Sequence, residues 1–284
     1  MKRLCNCIVF FFITIVSCQN DLVRTITPIA NLSKQLKETS GIANLSKSDT
    51  FWLVNDSGNS NELFEINDNG KILNVVEVVN AKNKDWEDLA SDGAHKLFIG
   101  DFGNNNNKRK DLRIYSVAIN QVLNSKVTAE VIDFYFEDQH KFPPKKKHRN
   151  FDIEAFVYKA GYFYLFTKNR SSEFNGETKL YKIAAEKGKQ KAILLDSFIT
   201  CNKQTSCAVT SATFSKDKKT LVLLTPTKLY EFTNYIDDDF FKGNVKVTDL
   251  EHKSQKEAIC FKDGMLYITD ERVKNKGGNL YLVK

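Results

Sequence analysis

Five oxygen-bearing side chains, Ser40, Glu87, Glu154, Ser211 and Glu257, recur at the same place in five similar stretches of this chain. Hydroxyl and carboxylate oxygens are the donors a hard divalent cation takes. Three carboxylates held close together repel one another unless a cation or protons offset their charge. Calcium, which accepts about six to eight oxygens in flexible geometry, suits such a set better than magnesium. A water-filled polar channel with protonated carboxylates is the alternative reading of the same residues. A second set stands close by in four of the five repeats: Asp56, Asp101, Lys168 with Arg170, and Asp270 with Glu271. Glu38, Asp85 and Asp152 lie two residues before members of the first set and, by strand alternation, point the same way. Beside a cation, Asp56 or Asp101 would assist water, while Asp85, Asp152, Lys168 and Arg170 would surround a phosphate-bearing substrate. That is the chemistry of phosphoanhydride or phosphoester hydrolysis. The competing reading is turn chemistry, since Asp and Asn at strand ends serve tight turns.

The elements that must position these groups are strands. Each repeat opens with a short run, such as Ser40-Gly41-Ile42-Ala43, Glu87-Asp88-Leu89-Ala90 or Glu154-Ala155-Phe156-Val157. An apolar run follows, as in Phe51-Trp52-Leu53-Val54 or Phe163-Tyr164-Leu165-Phe166, and then a third such as Leu180-Tyr181-Lys182-Ile183. Short β-branched and aromatic runs punctuated by Gly, Asn and Asp read as strands, not helices. The repeats begin at intervals of roughly 45 to 70 residues, which suits four-stranded blades with loops. Segments 72–79, 129–136, 192–199 and 245–250 supply fourth strands, and the last repeat lacks one. The extended segment 22–29 is free to complete it, closing a circle of sheets without an open edge. The reading is all-β: a five-bladed β-propeller closed by an N-terminal strand, with six blades, one degenerate within 116–150, as the alternative. In a propeller the first strand of each blade lines the axial channel, so the five oxygen-bearing residues converge there.

The order Ser, Glu, Glu, Ser, Glu on successive inner strands resembles the calcium-activated nucleotidase (soluble apyrase) family, whose fold is a five-bladed propeller with calcium at its axis. Trp86-Glu87-Asp88-Leu89-Ala90 leading to Leu97-Phe98-Ile99-Gly100, and Leu165-Phe166 leading to Arg170, are similar in context. A second resemblance is to uncharacterised secreted propeller lipoproteins. It rests on Asn55-Asp56-Ser57-Gly58-Asn59, Asp85-Trp86-Glu87-Asp88, Gly100-Asp101-Phe102-Gly103-Asn104, Asp152-Ile153-Glu154-Ala155-Phe156 and Thr167-Lys168-Asn169-Arg170. The first resemblance implies a calcium-dependent hydrolase; the second implies a fold and an address only.

The start of the chain carries that address. Lys2 and Arg3 precede a short apolar run ending in Ile15-Val16-Ser17-Cys18, the pattern of a lipoprotein signal. The run is shorter than the ~20 residues a membrane-spanning helix needs. Residues 1–17 read as a signal peptide and 18–284 as one propeller domain. Lipid on Cys18 would tie the chain to a membrane of the bacterial cell envelope, outside the cytoplasm. Cys201 and Cys207 bracket a polar loop in a compartment that permits a disulfide, and their spacing matches no zinc pattern. Cys260 sits in an apolar alternation and reads as a buried thiol.

Composition excludes several classes. Of 284 residues, 42% are hydrophobic and 21 are Phe, enough to build a core without a disulfide scaffold. The net charge of +7 comes with no Arg-rich stripe, so nucleic acid is not expected as a partner. Lys145-Lys146-Lys147-His148-Arg149, directly after Pro143-Pro144, reads as a solvated loop. There is no G-x-S-x-G elbow, phosphate loop or H-E-x-x-H motif. Two functions remain: a calcium-dependent hydrolase of phosphate-bearing molecules, or a surface-anchored binding scaffold stiffened by its metal.

Overall fold

Alternating apolar and polar residues give a strand one buried face and one wet face, and this chain repeats that pattern almost throughout. A computed structural model describes residues 22–46 and 48–284. The signal segment 1–17 and Cys18 lie outside them. The first antiparallel meander comprises Thr39–Ala43, Phe51–Asn55, Glu62–Ile66 and Ile72–Val78; the second comprises Trp86–Ser91, Lys96–Asp101, Leu112–Ala118 and Glu130–Phe136. Ile153–Lys159, Tyr162–Thr167, Glu177–Ala184 and Gly188–Ile199 form the third. Ser211–Phe214, Leu221–Leu224, Lys228–Thr233 and Asn244–Asp249 form the fourth. Lys256–Lys262, Met265–Asp270 and Asn279–Val283 form the fifth, whose outer strand is the N-terminal Ile26–Asn31. The expected fourth strands are present, as is closure by the N-terminal segment. Segment 116–150 forms no meander of its own. It carries the two-residue strand Lys126–Val127, which pairs parallel with Ile72–Val78, and otherwise feeds the second meander.

The first strands of the five meanders lie against one another in a closed circuit, each touching the next and the fifth touching the first. Glycine permits one of these approaches. A Cβ on Gly41 would fall 2.5 Å from the Leu89 backbone nitrogen, so any side chain there would wedge the first two inner strands apart. Between neighbouring meanders the apolar faces interdigitate. The seam between second and third is aromatic, with Phe98 and Phe163 at 4.8 Å and Phe102 and Phe156 at 5.1 Å, both edge to face. At the closing seam the buried Lys262 reaches across to Asp68 and to the Asp49 carbonyl, 2.8 Å away.

At the periphery, Glu130–Phe136 and Gly188–Ile199 pair in parallel, joining second and third meanders edge to edge. Leu22–Val23 covers the edge of Asn244–Asp249 in the same way. Cys201 and Cys207 are bonded, their Cα atoms 5.3 Å apart, closing the polar loop ahead of the fourth meander. Cys260 is a free thiol on an inner strand, and burial pushes its pKa far up. Among the described residues no helix is long and apolar enough to cross a membrane.

Candidate functional site

The oxygen-bearing positions are produced by a repeated irregularity. In four of the five meanders the pairing of first and second strands slips by one residue near the same end. The slips fall between Thr39 and Gly41, Trp86 and Asp88, Ile153 and Ala155, and Lys256 and Ala258. The residues squeezed out are Ser40, Glu87, Glu154 and Glu257. A bulge frees one residue from the ladder and re-aims its side chain, which is why bulges collect beside functional sites. A recurring backbone bond fixes each one: Asp56 N–H to Glu38 O (2.8 Å), Gly103 to Asp85 (3.2 Å), Lys168 to Asp152 (2.8 Å) and Glu271 to Gln255 (3.0 Å). The fourth meander departs from this, since Ser211 pairs directly with Leu224.

At this end of the circuit, Asp56, Asp85 and Glu87 each offer a carboxylate oxygen within 4.8 Å of the others. Asp56 and Asp85 are half-buried and Glu87 is buried. The last two close over Gly103, where a Cβ would lie 2.0 Å from Glu87 Oε1 and 2.5 Å from Asp85 Oδ2. Burial pushes the Asp56 carboxyl up to about 6; the Ser57 N–H opposes this, while Asp85 and Glu154 add to it. Burial also raises Asp85, against the pull of Arg109. Glu87 is driven well above the carboxylate range by burial first, then by Glu154, Asp56 and Asp85. These groups are short of positive charge.

The two cations nearby are already engaged. Lys168 Nζ is 2.9 Å from Glu154 Oε2 and 4.0 Å from Glu257 Oε2. Arg170 donates from Nε to Asp152 Oδ2 (2.5 Å) and from Nη2 to Glu154 Oε1 (2.6 Å). Burial works to raise Glu154, but Lys168 and Arg170 outweigh it and hold this carboxyl low. Asp152 is pushed up to about 7 by burial and by Glu154, against Arg170. Glu257 also reaches about 7 through burial, and Glu271 about 8 through burial, Glu257 and Asp56.

The other expected residues meet partners of their own. Glu154 and Glu257 do not join the carboxylate group of Asp56, Asp85 and Glu87. Ser40 Oγ donates to the Trp86 carbonyl at 2.7 Å, Ser211 Oγ bonds Asp88, and Glu154 is spent on two cations. Asp101, expected to assist water, is fully buried. Its Oδ1 accepts from Asp85 N–H (3.2 Å) and Arg109 Nη2 (2.9 Å), which makes it a positioning residue for Asp85. Lys168 and Arg170, expected to hold phosphate, neutralise carboxylates instead. Asp152 is inside the Arg170 pair, and Asp270 anchors Asn279 N–H and the Tyr281 hydroxyl, as the turn reading has it. Of the expected residues, Asp56, Asp85 and Glu87 are brought together as one donor set.

Asp88 was missed. Where the other repeats place Gly41, Ala155, Ala212 and Ala258 after the bulge position, the second places an acid. It is fully buried and accepts from Leu89 N–H (2.9 Å), Phe156 N–H (3.0 Å) and Ser211 Oγ (3.1 Å). Ser211 Oγ in turn accepts from Ile259 N–H at 3.2 Å. Four inner strands are thereby tied at one point. The signal was present in the alignment of repeats: a charged residue where its four equivalents are Gly or Ala.

No protein-family profile matches the chain, and no curated protein matches it. Among solved structures it aligns over 92% of its length with 97% of a PQQ-bound aldose sugar dehydrogenase from Streptomyces coelicolor, at 9% identity and TM-score 0.54. It also aligns with a nidogen/laminin complex chain at 13% identity and TM-score 0.47, covering 82% of this chain and 72% of that one. A structural genomics protein of unknown function from Bacteroides thetaiotaomicron aligns at 11% identity and TM-score 0.48, over 92% and 76% of the respective chains. Identities this low speak to fold alone, and the fold is of the β-propeller class.

Proposed function

We propose that this chain is a five-bladed propeller that binds a divalent cation, calcium, on Asp56, Asp85 and Glu87, and acts as an envelope-anchored binding module. The blade count rests on the closed circuit of five inner strands. The observation that carries the function is the carboxylate trio, set beside the bulge at Glu87, raised in pKa, and in no side-chain ion pair among the described residues, while Lys168 and Arg170 serve Glu154 and Asp152. All-oxygen donors of this kind fit a hard cation, which would offset their repulsion and leave a Lewis-acidic point for a partner's oxygen. Hydrolysis of phosphoanhydrides or phosphoesters is the weaker reading, because both candidate phosphate anchors are held in ion pairs.

Gly103→Ala tests the site. The φ angle of Gly103 lies outside the left-handed region, so alanine fits the backbone, but its Cβ occupies the space of Glu87 Oε1 and Asp85 Oδ2. Calorimetric titration is expected to show calcium binding to the native protein, weakened about tenfold or more in the variant with its circular dichroism unchanged. Absent calcium binding, or equal affinity in the two proteins, would remove the trio from consideration. Phosphate release from nucleoside diphosphates, measured alongside, is expected to be nil with and without calcium. The anchor belongs to the same proposal and rests on the Ile15-Val16-Ser17-Cys18 pattern; the mass of the mature N-terminus checks it, and an unmodified Cys18 refutes it.

A further inference from the structure

Asp85 is held in place from two sides, and both supports end on Arg109. Its N–H donates to Asp101 Oδ1 at 3.2 Å, and its carbonyl accepts from Gly103 N–H at 3.2 Å. Gly103 is also the floor over which the Asp85 and Glu87 carboxylates close. A single guanidinium spans these supports. Arg109 Nη2 donates to Asp101 Oδ1 at 2.9 Å and to the Asp101 carbonyl at 3.2 Å, and Nη1 donates to the Gly103 carbonyl at 2.9 Å. Nε donates to Asp111 Oδ1 at 3.2 Å, which fixes the plane of the fork. Donors diverging from one rigid plane can tie three points of a loop together; an ammonium on a flexible stem cannot hold the same set.

The base from which Arg109 acts is firm. Asn104 and Asn107, at the two ends of a run of four asparagines, are both buried. Asn104 Oδ1 accepts from Arg109 N–H at 2.9 Å, and its Nδ2 donates to the Phe151 carbonyl at 3.0 Å. Asn104 N–H donates to Asp152 Oδ1, and Asn107 Oδ1 accepts from Phe151 N–H at 2.9 Å. Loop 102–111 is thereby braced against the entry to the third meander, and it cannot shift without breaking buried hydrogen bonds.

Among the described residues Arg109 forms ion pairs with Asp101 and Asp111 and with no member of the trio. Its charge still reaches Asp85, whose carboxyl it draws down against burial. A positive charge beside a cation site repels the cation. Charge and hold therefore have opposite consequences for calcium, which makes them separable. We infer that Arg109 is a positioning residue for the carboxylate trio, and that its fork, by holding Asp101 and Gly103 together, adds more to calcium affinity than its charge removes. The inference rests on the calcium reading and names the residue that shapes that site.

Calcium is titrated calorimetrically into the full chain as the native protein, Arg109→Lys and Arg109→Met, with circular dichroism confirming the fold of each. Lysine keeps the charge and loses the fork; methionine loses both. Both variants are expected to bind calcium about tenfold or more weakly than the native protein, although methionine has shed the repelling charge. Should methionine fail to fold, Arg109→Lys carries the test alone. Terbium bound in place of calcium supplies a readout that a merely structural role would not move. Its luminescence lifetimes in light and heavy water are expected to show about one more bound water in Arg109→Lys than in the native protein, because Asp85 is no longer held within reach. An affinity in Arg109→Lys equal to the native one, tighter binding by Arg109→Met, or an unchanged water count overturns the inference and leaves the calcium reading standing. Absence of calcium binding by the native protein overturns both.

Discussion

Stripped of divalent cations, the protein is expected to lose stability steadily as the pH rises from about 5 to about 8, and to recover it when calcium is added. Three carboxyls in the site set this direction. Asp56 moves from 3.8 to about 6, Glu257 from 4.5 to about 7 and Glu271 from 4.5 to about 8. Each keeps its proton in the folded chain at pH values where the unfolded chain has released it. The stabilisation is therefore complete below the ordinary values and is gone once the pH passes the folded ones. Glu154, held low by its two cations despite its burial, works in the opposite sense. Its window lies below 4.5, so it is constant across this range. Discounted for partial exposure and shared repulsion, the combined loss is about 3 kcal/mol. Calcium at a hundredfold excess over its dissociation constant would return about 2.7 kcal/mol. Urea midpoints at pH 5, 6, 7 and 8, with chelator and with calcium, measure both effects. Stability that climbs over this range in chelator, or that ignores calcium at pH 8, is the outcome that sinks the expectation.

Asp88→Ala should be the most damaging single substitution at the axis, lowering stability by about 4 kcal/mol or more. The carboxylate accepts from Leu89 N–H, Phe156 N–H and the Ser211 hydroxyl in a fully buried position. Burial pushes its pKa well up, and these donors act against that shift. Alanine removes the acceptor and strands the donors, at about 1–3 kcal/mol for each one left unsatisfied. Asp88→Asn keeps the shape but turns an NH₂ toward donors, so it too should cost at least about 2 kcal/mol. Equilibrium denaturation decides, and a loss below about 1 kcal/mol for alanine would show that the tie is incidental.

Much of the architecture was legible because a strand's period of two is written in its residues. Leu63-Phe64-Glu65-Ile66 and Leu280-Tyr281-Leu282-Val283 announce buried strands, and the unpaired 22–29 segment announces closure. The alignment of Ser40, Glu87, Glu154, Ser211 and Glu257 was visible in the repeats, but the bulge that re-aims four of them, two residues after Glu38, Asp85, Asp152 and Gln255, was not. What those side chains meet was not legible. Whether Lys168 turns to a ligand or to Glu154 depends on distances across blades, which no spacing along the chain encodes. Asp101 looked available at the end of its strand, yet Arg109, eight residues on and across the loop, folds back to cover it. The pairing of Cys201 with Cys207 depended on loop shape in the same way.

The outer strand of the fifth sheet, Ile26–Asn31, is made before any other strand of the five meanders. Ile26–Asn31 must bind Asn279–Val283, from the far end of the chain. At about 5–20 residues per second, that partner emerges only tens of seconds later. Until then the circle has a gap, and the early segment has an unmatched row of N–H and C=O groups, a site open to misdirected association. The join between the two chain ends therefore acts as a clasp fastened last. The same clasp makes the finished molecule cooperative, because releasing either end unfastens both.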